Sequence, residues 1–338
     1  MPNLSVLLPV YNAQKTVSRS LRSLLNQNYP DFEICIIDDG STDGTLEAIS
    51  RFSDPRIKVH TFDENRGLVK ALNAGIDMID AKYIMRLDAD DVCHENRVGR
   101  QIEFMEMNKN ISVSGAWCYI IDRNQQKNIQ KLPTQDGDIK ARMLFNNPLV
   151  HPSMIFRRDV FENHRYNDGY RHCEDYGLWV DMSIDKEISF ANIPEPLVYK
   201  FENKGDNISH RHFKDQLRSC SILRQKLLQY IGVDFSDEEI VLHNAIAGNS
   251  LSEMDMQLMQ WKAEEWLLRL QKANLLHGYV LPFCFDFELA QRWLSICEHS
   301  LSQGVLSPEQ VLSSPLITNL NNEQHRLVEA RMGCSMSR

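Results

Sequence analysis

Three carboxylates fall within four positions in "YIMRLDADDV" (83–92), directly after a run of mostly apolar residues. Ionised side chains so close repel one another, and burying them unpaired is costly, so Asp88, Asp90 and Asp91 call for a positive partner. An oxygen-only cluster suits a hard divalent cation such as magnesium or manganese, whose shell phosphate oxygens commonly complete. An Asp-x-Asp after a strand therefore reads either as a seat for a metal-bound diphosphate or as a solvated acidic turn. Asp38 and Asp39 in "IIDDGSTDGT" (36–45) are placed either to accept hydrogen bonds from a base or ribose or to cap the helix that follows. In "HCEDYGLWVDM" (172–182), Glu174 and Asp175 precede a helical face of Leu178, Trp179 and Met182. They either cap that helix, favoured by its dipole, or offer a general base to a bound substrate.

The surrounding elements decide whether these groups can meet. "LSVLLPV" (4–10), "FEICIID" (32–38), "RIKVHTF" (56–62) and "KYIMRLD" (82–88) read as strands. Between them lie helical patterns at 13–28, from Thr45 onward, within "GLVKALNAGIDMI" and around Arg97 to Met107. Alternation of this kind implies an α/β fold, a mostly parallel sheet with helices on both faces. Ligands bind such sheets outside the carboxyl ends of the strands, where both Asp pairs would converge. After about residue 205 the pattern is helical, at 209–228, 254–276 and 285–301, joined through "ENKGDNIS". The expected division is a catalytic domain over 1–205 and a helical domain over 206–338.

Composition narrows the class. The 338 residues are 43% hydrophobic and 25% charged, as in a soluble globular protein, and the net charge of −9 argues against nucleic acid as a partner. The eight cysteines form no CxxC pair, so reduced, mostly buried thiols are expected rather than a zinc site or disulfide frame. No signal peptide or membrane span is read in the sequence, so the expected location is cytoplasmic.

Taken together, the motifs resemble family 2 glycosyltransferases of the GT-A (Rossmann-like) fold. The resemblance rests on "SVLLPVYNAQKTVSRSLRSLLNQNYPDFEICIIDDGSTDGT", "NRGLVKALNAG", "YIMRLDADD", "NPLVHPSMIFRR" and "CEDYGLW", in order from residue 4 to about 200. It implies a UDP-sugar donor and Mn2+ or Mg2+ as cofactor. It implies that Pro9, Tyr11 and Asn12 line the nucleotide pocket, and that Asp39 contacts uracil with Asn65 and Lys70 nearby. By the same resemblance Asp88 and Ala89 bind ribose or donor sugar, and Asp90 coordinates the metal. Asp175 corresponds to the catalytic base, and Glu174 contacts acceptor or sugar. His151 is either structural or on the acceptor side. The implied reaction is an inverting transfer of GlcNAc, GalNAc, Gal or Glc to a saccharide or lipid-linked oligosaccharide. The nearest likeness is to bacterial enzymes of lipopolysaccharide and O-antigen synthesis.

Rival readings leave motifs idle. A haloacid-dehalogenase-like phosphatase would use Asp88 as nucleophile but gives "IIDDGSTDGT" and "CEDYGLW" no role. A nucleotidyltransferase wants a glycine-rich basic loop near the N-terminus, and "PVYNAQKTV" has no glycine. A silent sugar-nucleotide-binding protein would not need both Asp90 and Asp175. In the tail, "SHRHFKDQLRSCSILRQKLLQYI" (209–231) gathers Arg211, Lys214, Arg218 and Lys226 on one arc, opposite Phe213, Leu217, Cys220, Leu223 and Leu227. That stripe is either an ordinary solvated face or a peripheral contact with an anionic membrane.

Overall fold

Where the sequence runs apolar without a break, strands form that are covered on both faces. The computed structural model describes residues 2–201, 213–248, 256–302 and 305–336. Strand β1 (Leu4–Val10) is buried at every position and lies between β2 (Phe32–Asp38) and β4 (Tyr83–Arg86), parallel to both. Strand β3 (Ile57–Thr61) adds a parallel edge to β2. Side chains alternate across the sheet. Val6, Leu8 and Val10 join a core with Leu21 and Leu24 of α1 (Val17–Leu25) and with Val98 and Ile102 of α4 (Arg97–Met107). Two further helices, α2 (Thr45–Ser50) and α3 (Leu68–Met78), complete this half, α3 packing on β1 and β2. The register sets Val10 beside Asp38 and Leu7 beside Arg86, so the segments after β1, β2 and β4 leave the sheet at one edge.

The second half of the sheet is mixed. Strand β8 (Ile155–Arg157) runs antiparallel to β4 and links it to β6 (Val113–Ile121), which pairs in parallel with the long β9 (Phe190–Phe201). Two short antiparallel strands, β5 (Val92–Cys93) on β9 and β7 (Lys127–Gln130) on β6, complete nine. The β6–β9 register shifts between Ala116 and Cys118, a bulge that twists the pair. Helix α6 (Glu174–Ser183) precedes β9.

The chain divides into two compact units. One holds Met1–Asp136 and Pro148–Cys220, the other Gly137–Asn147 and Ser221–Arg338. The second unit takes most of α5 (Asp136–Met143) and the C-terminal half of α7 (Phe213–Tyr230). To these it adds α8 (Asp237–Gly248), α9 (Met256–His277), α10 (Pro282–Ser302), α11 (Pro308–Leu312), α12 (Pro315–Thr318) and α13 (Asn322–Met336). Residues 144 and 145 tie the 137–147 segment to the C-terminal helices within this unit. The Phe145 carbonyl accepts from Arg224 Nε at 2.7 Å, and the Arg292 guanidinium lies 4.7 Å from the Phe145 ring centroid. Buried His243, its pKa pushed by burial down to about 3, stays neutral. Its Nδ1 accepts from Trp266 Nε1 at 3.1 Å, so Nε2 carries the proton and donates to the Leu144 carbonyl at 2.9 Å.

Helix α7 departs from the expected wheel. Leu223 and Leu227 are buried as expected, but Phe213 and Leu217 are 57% and 48% exposed. Arg224 is buried on the same helix because it serves the Phe145 carbonyl. Arg211 and the 202–209 linker lie outside the described residues. Cys35, Cys93, Cys118, Cys173, Cys284 and Cys297 are buried free thiols, and Cys220 is a half-buried one. No helix among them is long and apolar enough to cross a membrane.

Candidate active site

The loop after β4 is held from beneath by α1. Ser20, fully buried, donates its hydroxyl toward the carbonyls of Ala89 (2.8 Å) and Asp91 (2.7 Å), and Arg19 Nη2 donates to the Asp90 carbonyl at 2.7 Å. With its backbone fixed, the loop brings one oxygen each from Asp88, Asp90 and Asp91 within 4.8 Å of one another. Asp91 is buried, and its Oδ2 has no hydrogen-bond partner among the described residues.

The positive partner demanded by these carboxylates is, in part, the protein itself. Arg86, 1% exposed at the end of β4, places Nη2 2.6 Å from Asp88 Oδ1. Burial pushes the Asp88 carboxyl up, but its neighbours, Arg86 first and Lys200 among the others, together hold the group below the usual range. Asp90 and Asp91 go the other way, raised by burial and by the Asp88 charge, Asp91 furthest. Lys200 of β9 faces the same cluster: burial opposes its charge, yet Asp91, Asp88 and Asp175 hold its ammonium above the usual lysine range. Neither cation was singled out from the sequence. Arg86 sits inside the quoted motif, and Lys200 ends an apolar run.

Around the nucleotide side, the loops after β1 and β2 are stitched together. Asn12, at φ 49°, accepts from Thr42 N (2.9 Å) and donates its own amide to Ser41 Oγ (3.0 Å), while Ala13 N donates to Thr45 Oγ1 (2.8 Å). Pro9 is buried in β1, and Tyr11 is 48% exposed at the rim. Asp39, 4% exposed, accepts from the amides of Arg66 (2.7 Å) and Gly67 (2.9 Å), which leaves lone pairs for one further donor. It thereby fixes the loop carrying exposed Asn65 into α3, where Lys70 is also exposed.

Glu174 and Asp175 open α6, both half-buried. The start of α7 straps the preceding turn: Gln216 donates to the His172 carbonyl (3.1 Å), Ser219 to that of Arg171 (2.9 Å), and Cys220 Sγ touches Cys173 Sγ at 2.8 Å. Gly177 lets the Tyr170 ring lie against the helix, since a Cβ there would sit 2.3 Å from it. His151 is buried, bonded through Nε2 to Tyr166 Oη at 2.7 Å and edge-on to Trp179. Burial and the nearby Arg86 charge lower its pKa well below the ordinary value, so it is neutral.

The Glu174 pKa is pushed up to about 7, first by burial and then by Asp175. A carboxyl raised in the folded state contributes stability that is fully present below its unfolded value, 4.5, and lost as pH rises to about 7. Glu174→Gln is therefore expected to raise Tm relative to the wild type by more at about pH 8 than at about pH 5. Equal Tm differences at the two pH values would remove the burial argument.

The sequence profile "Glycosyl transferase family 2" matches residues 5–165. A glycosyltransferase of Haemophilus influenzae is 32% identical over 250 residues, covering 69% of this chain and 76% of its own. The Escherichia coli UDP-Glc:alpha-D-GlcNAc-diphosphoundecaprenol beta-1,3-glucosyltransferase WfgD is 30% identical over 219 residues, 65% of this chain and 84% of that one. Residues 1–349 of S. aureus TarS, solved with UDP-GlcNAc, superpose with a TM-score of 0.56 at 17% identity over 89% of this chain and 92% of that one, a likeness of fold. The chain belongs to glycosyltransferase family 2 and has the GT-A fold. It is a glycosyltransferase, which sets aside the phosphatase and nucleotidyltransferase readings.

Proposed function

We propose that the protein is an inverting transferase that moves GlcNAc, GalNAc, Gal or Glc from UDP to a saccharide hydroxyl of a lipid-linked bacterial surface glycan. The observation that carries this reading is the convergence of the Asp88–Asp91 cluster, Lys200 and the Glu174–Asp175 pair within electrostatic reach of one another. TarS, solved with UDP-GlcNAc, supports a UDP-linked donor, and the name of the E. coli relative supports a diphosphoundecaprenol-linked acceptor. Donors of this kind and the free thiols support a reaction on the cytoplasmic side.

The donor set of the Asp88 cluster fits a hard divalent ion: it is all oxygen, closely spaced, and one buried oxygen lacks a partner among the described residues. Asp90, with Asp91 or Asp88, would hold Mn2+ or Mg2+, which when bound neutralises charge on a diphosphate leaving group. The chain's own residues do the rest. Asn12, Asp39 and the loop they fix receive the nucleotide, with Tyr11, Asn65 and Lys70 at the rim and Ala89 beneath the sugar. Asp175 takes the proton of the acceptor hydroxyl as its oxygen bonds to the anomeric carbon. The bond to the diphosphate breaks on the opposite face, so an α-linked donor yields a β-linked product. Lys200 and Arg86 offset the charge that develops on the leaving group. Glu174 positions the acceptor, and neutral His151 holds Tyr166 and Trp179 behind the site.

The testing experiment is a thermal-shift panel of UDP-sugars with manganese, followed by transfer assays with the stabilising donor. A ligand that binds only the native state raises Tm, so the true donor should stand out. In the same format Asp90→Ala, and chelator with the unmutated protein, are expected to abolish donor stabilisation and most transfer. Full transfer in excess chelator would exclude a metal at Asp90.

A further inference from the structure

The turn joining α9 to α10 carries four large apolar side chains into solvent. Leu275 and Leu276 in the last turn of α9, Leu281 in the connection and Phe283 at the start of α10 are 68, 76, 62 and 54% exposed. Leu327 of α13, 53% exposed, adds a fifth on the helix that meets Phe283. The turn is firmly held. Gly278 takes the left-handed φ of 65° that ends a helix, and its amide donates to the Asn274 carbonyl at 2.8 Å. The Asn274 side chain, 1% exposed, donates to the Val280 carbonyl and accepts from the Val280 amide, both at 3.0 Å. Gln324 Nε2 of α13 donates to the Phe283 carbonyl at 2.8 Å. Val280, Cys284 and Phe285 point inward and are buried, so neighbouring residues anchor the turn while the exposed four project from it. Single exposed leucines are ordinary, but four within nine residues on a fixed turn make a patch.

We infer that this patch docks on an anionic lipid bilayer. From Trp266 to Phe285 the chain holds no carboxylate and carries Lys272 just before the patch, Arg269 being ion-paired with Glu239, in a protein with 46 acidic residues and a net charge of −9. That local charge complements anionic headgroups. Size points the same way: these side chains present a few hundred Å², short of the ~800 Å² per partner of a stable protein interface. Modest apolar insertion combined with basic residues is how a peripheral protein holds a membrane. The inference deepens the reading of a lipid-linked acceptor, which is confined to a bilayer, and its test needs no transfer.

Purified full-length protein is sedimented with vesicles of phosphatidylglycerol and phosphatidylcholine in equal parts, and with phosphatidylcholine alone. Binding to the anionic vesicles, weakened by salt, is expected. Leu276→Ser combined with Leu281→Ser should lower that partition at least about tenfold. Tm and stabilisation by the UDP-sugar should be retained, because both side chains are exposed. No vesicle binding by the wild type, or equal partition of the variant, overturns the inference. So does a wild-type dimer that the variant abolishes, since the patch would then cover a second copy. Vesicle binding that responds to the variant in a protein no UDP-sugar stabilises supports the docking patch and counts against the proposed donor instead.

Discussion

Asp175→Asn is expected to lower turnover by roughly 10²–10⁴-fold, the usual worth of a general base. The amide keeps the size of the side chain and removes its ability to take a proton. Donor affinity should be nearly unchanged, because the groups assigned to the nucleotide lie at or after the ends of β1, β2, β3 and β4, whereas Asp175 sits at the start of α6. The measurement is a comparison of kcat with donor Kd on the same preparation. Unchanged turnover with collapsed donor affinity would make Asp175 a binding residue and leave the proton without an acceptor.

The largest expected effect on stability comes from Arg86→Leu. A wholly buried guanidinium bonded to Asp88 is removed, and the carboxylate is left facing Asp90 and Asp91. Breaking a buried pair on one side costs about 3–5 kcal/mol. The lower end applies here, because Asp88 keeps a third of its side chain exposed. Arg86 Nε and Nη1 have no hydrogen-bond partner among the described residues, so the pair carries an incompletely offset desolvation cost. The double variant Arg86→Leu with Asp88→Asn should therefore regain most of what the single variant loses. Urea unfolding of the three proteins measures this. A single variant as stable as the wild type would mean that Lys200 alone compensates Asp88.

How much of this could be read in the chain follows from the range of the interactions. "LSVLLPV" and "FEICIID" are continuous apolar runs bounded by turn residues, and they form strands with those ends, Leu4–Val10 and Phe32–Asp38. The helix around Arg97 to Met107 also has the expected bounds. The mixed half of the sheet was not legible. Strand β8 is three residues long, and β6 carries Gly115 and no clean alternation, so each is held by its neighbours rather than by its own pattern. Helix α8 is apolar around most of its circumference and has no face to detect. Within the site, the carboxylates could be found because they cluster in sequence. Their cations could not: an arginine in an apolar run does not reveal which way it points, and Lys200 reaches Asp91 only through the pairing of β5 with β9. Asp39 was visible as a candidate, but its two backbone amides, from Arg66 and Gly67, come from a loop after a different strand.

The placement of residues 137–147 with the C-terminal helices has an evolutionary and practical reading. The tail is not an appendage that recombination could exchange freely at the end of β9. A chimera joined near residue 205 would inherit Leu144 and Phe145 from one parent and the groups that cover them, Arg224, His243 and Arg292, from the other. Tail and insert must therefore change together, so sequence drift in the helices is constrained by a short stretch more than seventy residues upstream. Acceptor preference, if it resides in the tail, would be inherited as a linked pair of segments rather than as a module.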